Sequence, residues 1–260
     1  MILNLTNHQG RWVTLLLAAG LTACGGSDEP SSPAPAPTPI PSPAPNPGPA
    51  PTPAPASADS SACFNDAMAA PGARWKVIYR ERGLGGDVDG IIRLTELVGS
   101  KTFNAQAANE YRLTTSQVGK PTAAQLSYSQ LNSDNYVQLG WRLPNGTEAY
   151  LEPGWTTPRV LQPGESVTSS YITRMSDGSA PPISSRVTTT YLGREALTLP
   201  AGTFETCKTR FVDQTGVTCM TWTIAAGAHR GVDVRFALVN AADGSTLWSS
   251  EATAVESNLQ

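Results

Sequence analysis

The sequence predicts an all-β fold, an antiparallel meander forming a sandwich or half-open barrel, behind a disordered proline-rich linker. Alternation is the first observation: Val232, Val234, Phe236 and Leu238 fall on one face of an extended segment, with Asp233 and Arg235 on the other. The same habit recurs in Trp75-Val77-Tyr79, in Val137-Leu139-Trp141 and over 186–192. Turn chemistry is the second, because Asn145-Gly146, Asp177-Gly178 and Asp243-Gly244 are dipeptides that type I′ hairpins favour. The third is the scarcity of helical periodicity; only 65–70 and 105–109 have the pattern for a turn or two. Roughly ten to thirteen short strands follow, and without a fixed-period repeat they do not form a solenoid or propeller.

Taken in order, residues 1–23 have the parts of an export signal: a weakly basic start with Arg11, an apolar run from Trp12 to Leu21, and small residues at its end. The run is roughly ten residues, half of the about 20 that a membrane-spanning helix needs. It leads into Leu21-Thr22-Ala23-Cys24-Gly25, which resembles a bacterial lipobox. That resemblance implies that Cys24 is acylated, becomes the N-terminus and attaches the chain to a membrane through lipid such as palmitate. A single acyl chain holds only marginally, whereas a diacylglyceryl thioether with an N-acyl chain anchors stably. Gly25 stands where Gram-negative lipoproteins kept in the inner membrane usually carry aspartate, so the resemblance implies the outer membrane, with the domain in the periplasm.

Residues 24–61 hold the lipidated cysteine and a Pro/Ala-rich linker, with proline at nearly every second position from Pro33 to Pro55. Such a segment has little to bury and cannot offset the entropy of ordering. Its prolines favour polyproline II at about 3.1 Å per residue, the geometry of a semi-rigid spacer.

The remainder, 62–260, is long enough for one all-β domain with a sizeable core. Without Arg11 the 18 basic residues become 17 against 21 acidic ones, and no basic run suggests nucleic acid. Removal of His8 with the leader leaves His229 as the one imidazole, in a loop before a strand. Neither a Gly-x-Ser-x-Gly elbow nor HExxH is present, which argues against the hydrolase classes that use them. With Gly85 as position one, Asp87, Asp89, Gly90 and Glu96 occupy positions three, five, six and twelve of a calcium loop. Gly85 cannot supply the first ligand and the flanks read as strands, so these acids are assigned to a glycine-rich turn. No metal or cofactor is expected. Trp155, between Pro153-Gly154 and Thr156-Thr157-Pro158, reads as the tryptophan on an exposed loop.

Once Cys24 is acylated, Cys63, Cys207 and Cys219 remain for an oxidising compartment. If 213–216 is a four-residue hairpin loop, Cys207 and Cys219 face opposite sides of the sheet and cannot bond; a bulge or a three-residue loop centred on Asp213 reverses that. The stretch Leu199-Pro200-Ala201-Gly202-Thr203-Phe204-Glu205-Thr206-Cys207 reads as a type I turn feeding a strand. Here, and at Cys63-Phe64-Asn65, Thr102-Phe103-Asn104, Gly193-Arg194-Glu195 and Trp222 with Gly227, the chain resembles uncharacterised Gram-negative envelope lipoproteins carrying a Pro-Ala-Gly-Thr-Phe turn followed by cysteine. The resemblance implies a β-rich lipoprotein without an established activity. Because both residues lie in these islands, it also favours a Cys63–Cys207 disulfide.

The functional expectation is an outer-membrane-anchored lipoprotein whose non-catalytic β-domain binds an envelope protein partner or serves envelope structure. The alternative is a carrier or chaperone of an apolar ligand in a half-barrel groove. Threonine on both faces, as in Val187-Thr188-Thr189-Thr190-Tyr191, makes a poor hydrocarbon lining and leans against that alternative.

Overall fold

The computed structural model of the chain describes residues 59–83 and 86–259. The leader, Cys24 and the proline-rich segment through residue 58 lie outside the described residues. Two single 3₁₀ turns, Ser60–Cys63 and Asp66–Ala69, precede twelve strands. These are β1 (Arg74–Gly83), β2 (Val88–Phe103), β3 (Gln106–Ser116), β4 (Ala123–Leu131), β5 (Asn135–Arg142) and β6 (Glu148–Pro158). The second half comprises β7 (Ser166–Met175), β8 (Ile183–Leu199), β9 (Gly202–Asp213), β10 (Thr218–Ile224), β11 (Asp233–Val239) and β12 (Thr246–Ser257). Each strand pairs antiparallel with the next, and β1 pairs with β12, so the all-β meander closes into a barrel. Closure gives every strand a neighbour on both sides, although the β6–β7 ladder is short, with Ala149 to Glu152 opposite Met175 to Ile172.

Two hairpins are longer than the short strands expected from the sequence, with β2 of 16 residues and β8 of 17. Each carries a bulge, between Leu97 and Gly99 and between Tyr191 and Gly193. A bulge shifts the period-two alternation by one, so the distal part of each hairpin presents the opposite face. In β2 this turns Phe103 to the outer side, where its ring stacks on Tyr128 at 3.9 Å. Gly140 makes room for it: a Cβ there would sit 2.8 Å from the Phe103 ring and 2.1 Å from the Ala149 carbonyl oxygen. The segment 105–109, with its helix-like pattern, is instead the turn and the start of β3; Asn104 and Ala105 both have positive φ (45° and 60°). The pattern over 65–70 does form a turn, Asp66–Ala69, capped by the Asn65 side chain, which accepts from Ala67 N at 3.0 Å.

At the three Asx-Gly hairpins only the glycines have positive φ, so these are not type I′ turns. Asn145, Asp177 and Asp243 instead accept from the backbone N–H two residues on, at 3.0, 3.0 and 2.9 Å. The β9–β10 register also differs from the sequence expectation. Val212 stands opposite Thr218 and Cys207 opposite Thr223, one position from a four-residue-loop register. Cys207 and Cys219 therefore share a face. They are kept apart by four positions along the strand, about 13 Å at about 3.3 Å per residue.

Candidate functional site

Register and burial divide the barrel interior into two ends. Trp141, Ala149, Leu151, Trp155, Val187 and Phe211 pack together at one of them. Trp155, expected on a loop, lies in β6 with 4% of its surface exposed, its ring edge-on to Phe211 at 5.5 Å. Midway, the Arg93 guanidinium pairs with Glu81 at 2.7 Å and lies over the Tyr79 ring at 4.3 Å. Gln138 of β5 is a buried amide, donating to Ser127 Oγ and the Tyr128 carbonyl, each at 3.0 Å.

The other end holds a cavity of about 110 Å³. Hydroxyl side chains line it, including Thr95, Ser127, Ser129, Thr157, Thr189 and Thr209. So do the rings of Trp75, Tyr111, Tyr136 and Tyr191. Asp233 is the acid among the lining residues. The alternation around Asp233 put it on the solvent face, but a bulge between Trp222 and Thr223 in the β10–β11 ladder turns it inward, leaving 3% exposed. Burial pushes its pKa up to about 6, against the opposing pull of the Thr223 hydroxyl, which donates to Oδ1, and of Arg93. Three lining side chains, Trp75 (Nε1), Thr157 (Oγ1) and Thr189 (Oγ1), carry buried polar atoms without a hydrogen-bond partner. Each such group costs about 1–3 kcal/mol relative to a satisfied one.

A plug formed by the two 3₁₀ turns lies across this end, contributing Ser60, Cys63, Phe64, Asn65 and Met68 to the cavity wall. Cys63 is joined to Cys207 of β9, with Cα atoms 5.8 Å apart. Ser60 Oγ donates to the Arg159 carbonyl at 2.9 Å and accepts from Leu161 N at 2.8 Å. Asn65 Nδ2 donates to the Arg230 carbonyl at 3.0 Å, and Asp66 pairs with Arg159 at 2.8 Å. Gly231, at φ +89°, lets the plug lie close: a Cβ there would meet Met68 Sδ at 2.7 Å.

The remaining sequence candidates lie elsewhere. Cys24 is outside the described residues. Cys219 is the free thiol among the described residues, and burial, with a smaller contribution from Asp233, pushes its pKa up to about 12. A thiol held neutral in this way is a poor nucleophile. Asp87 and Asp89 pair with Arg82 at 3.5 and 2.8 Å. His229 lies half-buried between β10 and β11, its Nδ1 2.8 Å from Ser257 Oγ. Sequence reasoning missed the cavity and Asp233; the signal was a threonine at successive inward positions of several strands, visible only once register is known.

No family model and no curated protein matches the chain. Among solved structures, the chain is similar to a Bacteroides fragilis NCTC 9343 protein assigned as exported and as having a YmcC-like fold. Identity is 10% and the TM-score 0.45, over 72% of this chain and 96% of that one. It is also similar to a Parabacteroides distasonis ATCC 8503 protein assigned as a lipoprotein, with 9% identity and a TM-score of 0.45 over the same shares, 72% and 96%.

Proposed function

We propose that the chain is a lipid-anchored protein of the outer membrane whose non-catalytic β-barrel, carried on a proline-rich stalk, binds an envelope partner or serves envelope structure. The observation that carries this reading is the fastening of the barrel at the point where the stalk meets it. Pro55 ends the proline-rich run, and eight residues on the chain is covalently tied to the barrel wall through Cys63 and Cys207. A tether ending in a covalent staple transmits load without peeling the first segment from the domain. Asp233, whose Oδ1 accepts from Thr223, is the one acid among the residues lining the cavity, and no histidine is among them. The apolar-carrier alternative stands beside this reading, since the cavity inside the closed barrel is lined by Leu113, Leu131 and Leu161 as well as by hydroxyls.

Replacing Cys24 tests the anchor. Cys24→Ser is expected to abolish metabolic labelling with palmitate and to release the protein into the soluble fraction, while labelling that persists in this variant contradicts the reading. Crosslinking in intact cells tests the partner: the wild-type chain is expected to give a discrete envelope adduct that the released variant does not.

A further inference from the structure

We infer that the cavity at the plugged end of the barrel is a binding site for a small, neutral, polyhydroxylated molecule. The inference stands apart from the lipid anchor and the envelope partner, because it rests on the barrel interior alone. Its first ground is the unpaired polar atoms. Trp75 is 4% exposed, Thr157 4% and Thr189 1%, and each has a buried polar atom with no partner in the protein. An indole N–H can only donate, so Trp75 calls for an acceptor oxygen, which neither an ammonium group nor a hydrocarbon supplies. Thr157 and Thr189 can donate or accept, as the hydroxyls of a polyol can in return.

Charge is the second ground. No lysine or arginine is among the residues lining the cavity, so an anion would enter without a counter-charge and against Asp233. Shape is the third. The rings of Trp75 and Tyr111, edge-to-face with centroids 6.1 Å apart, offer apolar surface to C–H groups while hydroxyls around them meet oxygens. Size completes the class. At about 110 Å³ the cavity is somewhat smaller than the about 150 Å³ that holds a benzene ring, a size that suits a compact polyol such as glycerol.

The test uses the purified full chain in detergent with ethylene glycol, glycerol and erythritol as probes, read by saturation-transfer NMR and titration. Tetramethylammonium and benzene represent the competing cationic and apolar classes. Saturable glycerol binding is expected, with Kd on the order of millimolar for so small a ligand. Thr189→Val and Trp75→Phe keep most of the side-chain volume and delete the polar atom; each is expected to weaken binding about tenfold or more, with unchanged circular dichroism. If Trp75→Phe fails to fold, Thr189→Val carries the test alone. Three results would overturn the inference: no saturable polyol binding, which would leave the cavity to ordered water; binding that Thr189→Val does not change; or preferential binding of tetramethylammonium or benzene.

Discussion

The two ends of the barrel interior are built from the same strands, yet one is filled and the other is not. Along β9 the inward positions run from Phe211 to Thr209, along β8 from Val187 to Thr189, and along β6 from Trp155 to Thr157. In each case a large or branched apolar residue gives way, two positions on, to a threonine beside the cavity. Valine is nearly isosteric with threonine and would bring no unsatisfied hydroxyl, so the unpaired hydroxyls of Thr157 and Thr189 cost stability. The comparison teaches that alternation encodes only half of a barrel's interior. Its lengthwise gradient, from packed to polar, separates the part that holds the fold from the part available to a ligand.

The largest effects expected from breaking this division fall on the plug. The disulfide closes a loop with a sequence separation of 144. In the chain-entropy model, such a link stabilises by up to about 5 kcal/mol. Exchanging both cysteines, Cys63→Ser with Cys207→Ser, is therefore expected to lower the urea-unfolding free energy by about 2–5 kcal/mol. An unchanged midpoint would mean that the plug does not belong to the cooperative unit.

Acidity sharpens the comparison next. The Asp233 carboxyl has its pKa raised from 3.8 to about 6, so between these values the folded state binds more protons than the unfolded state. The resulting stabilisation is present in full below about pH 4 and is lost as pH rises through about 6. Urea midpoints measured across this window should fall with rising pH in the wild type. Asp233→Asn, which keeps an acceptor for Thr223, is expected to flatten that limb; an unchanged slope would assign it to other groups.

Smallest in energy is the behaviour of Cys219, on the packed side. Burial keeps its thiol neutral, with the pKa pushed up to about 12, so a thiol reagent at pH 8 should modify it only after denaturation. Rapid labelling of the native protein would show that the packed end opens.

Much of the architecture was legible in the sequence because period-two patterning is a local property. The strands around Trp75, Val137, 186–192 and Phe236 are where alternation placed them. What failed was whatever depends on the neighbouring strand. Asp233 was placed on the outer face because its own alternation says so, and a bulge in its partnership with β10 overrides this. Trp155 read as a loop residue from the Pro and Gly beside it, although Gly154 at φ +128° permits the irregularity that lets β6 continue. The Thr188-Thr189-Thr190 run was legible as unsuited to hydrocarbon, but its faces were not. Thr188 and Thr190 meet Thr168 and Ser166 at 2.9 and 2.8 Å across β7, and only Thr189 reaches the cavity.

The division of the interior is tested most directly by truncating or exchanging one side chain at each end, Phe211→Ala and Thr189→Val, and comparing their unfolding free energies in urea. Phe211→Ala leaves a void in close packing and is expected to cost about 3–5 kcal/mol. Thr189→Val removes a hydroxyl that has no protein partner and is expected to leave stability unchanged or to raise it by up to about 3 kcal/mol. Equal, large losses from the two variants would contradict the account, since Thr189 would then be as deeply engaged in holding the fold as the packed end.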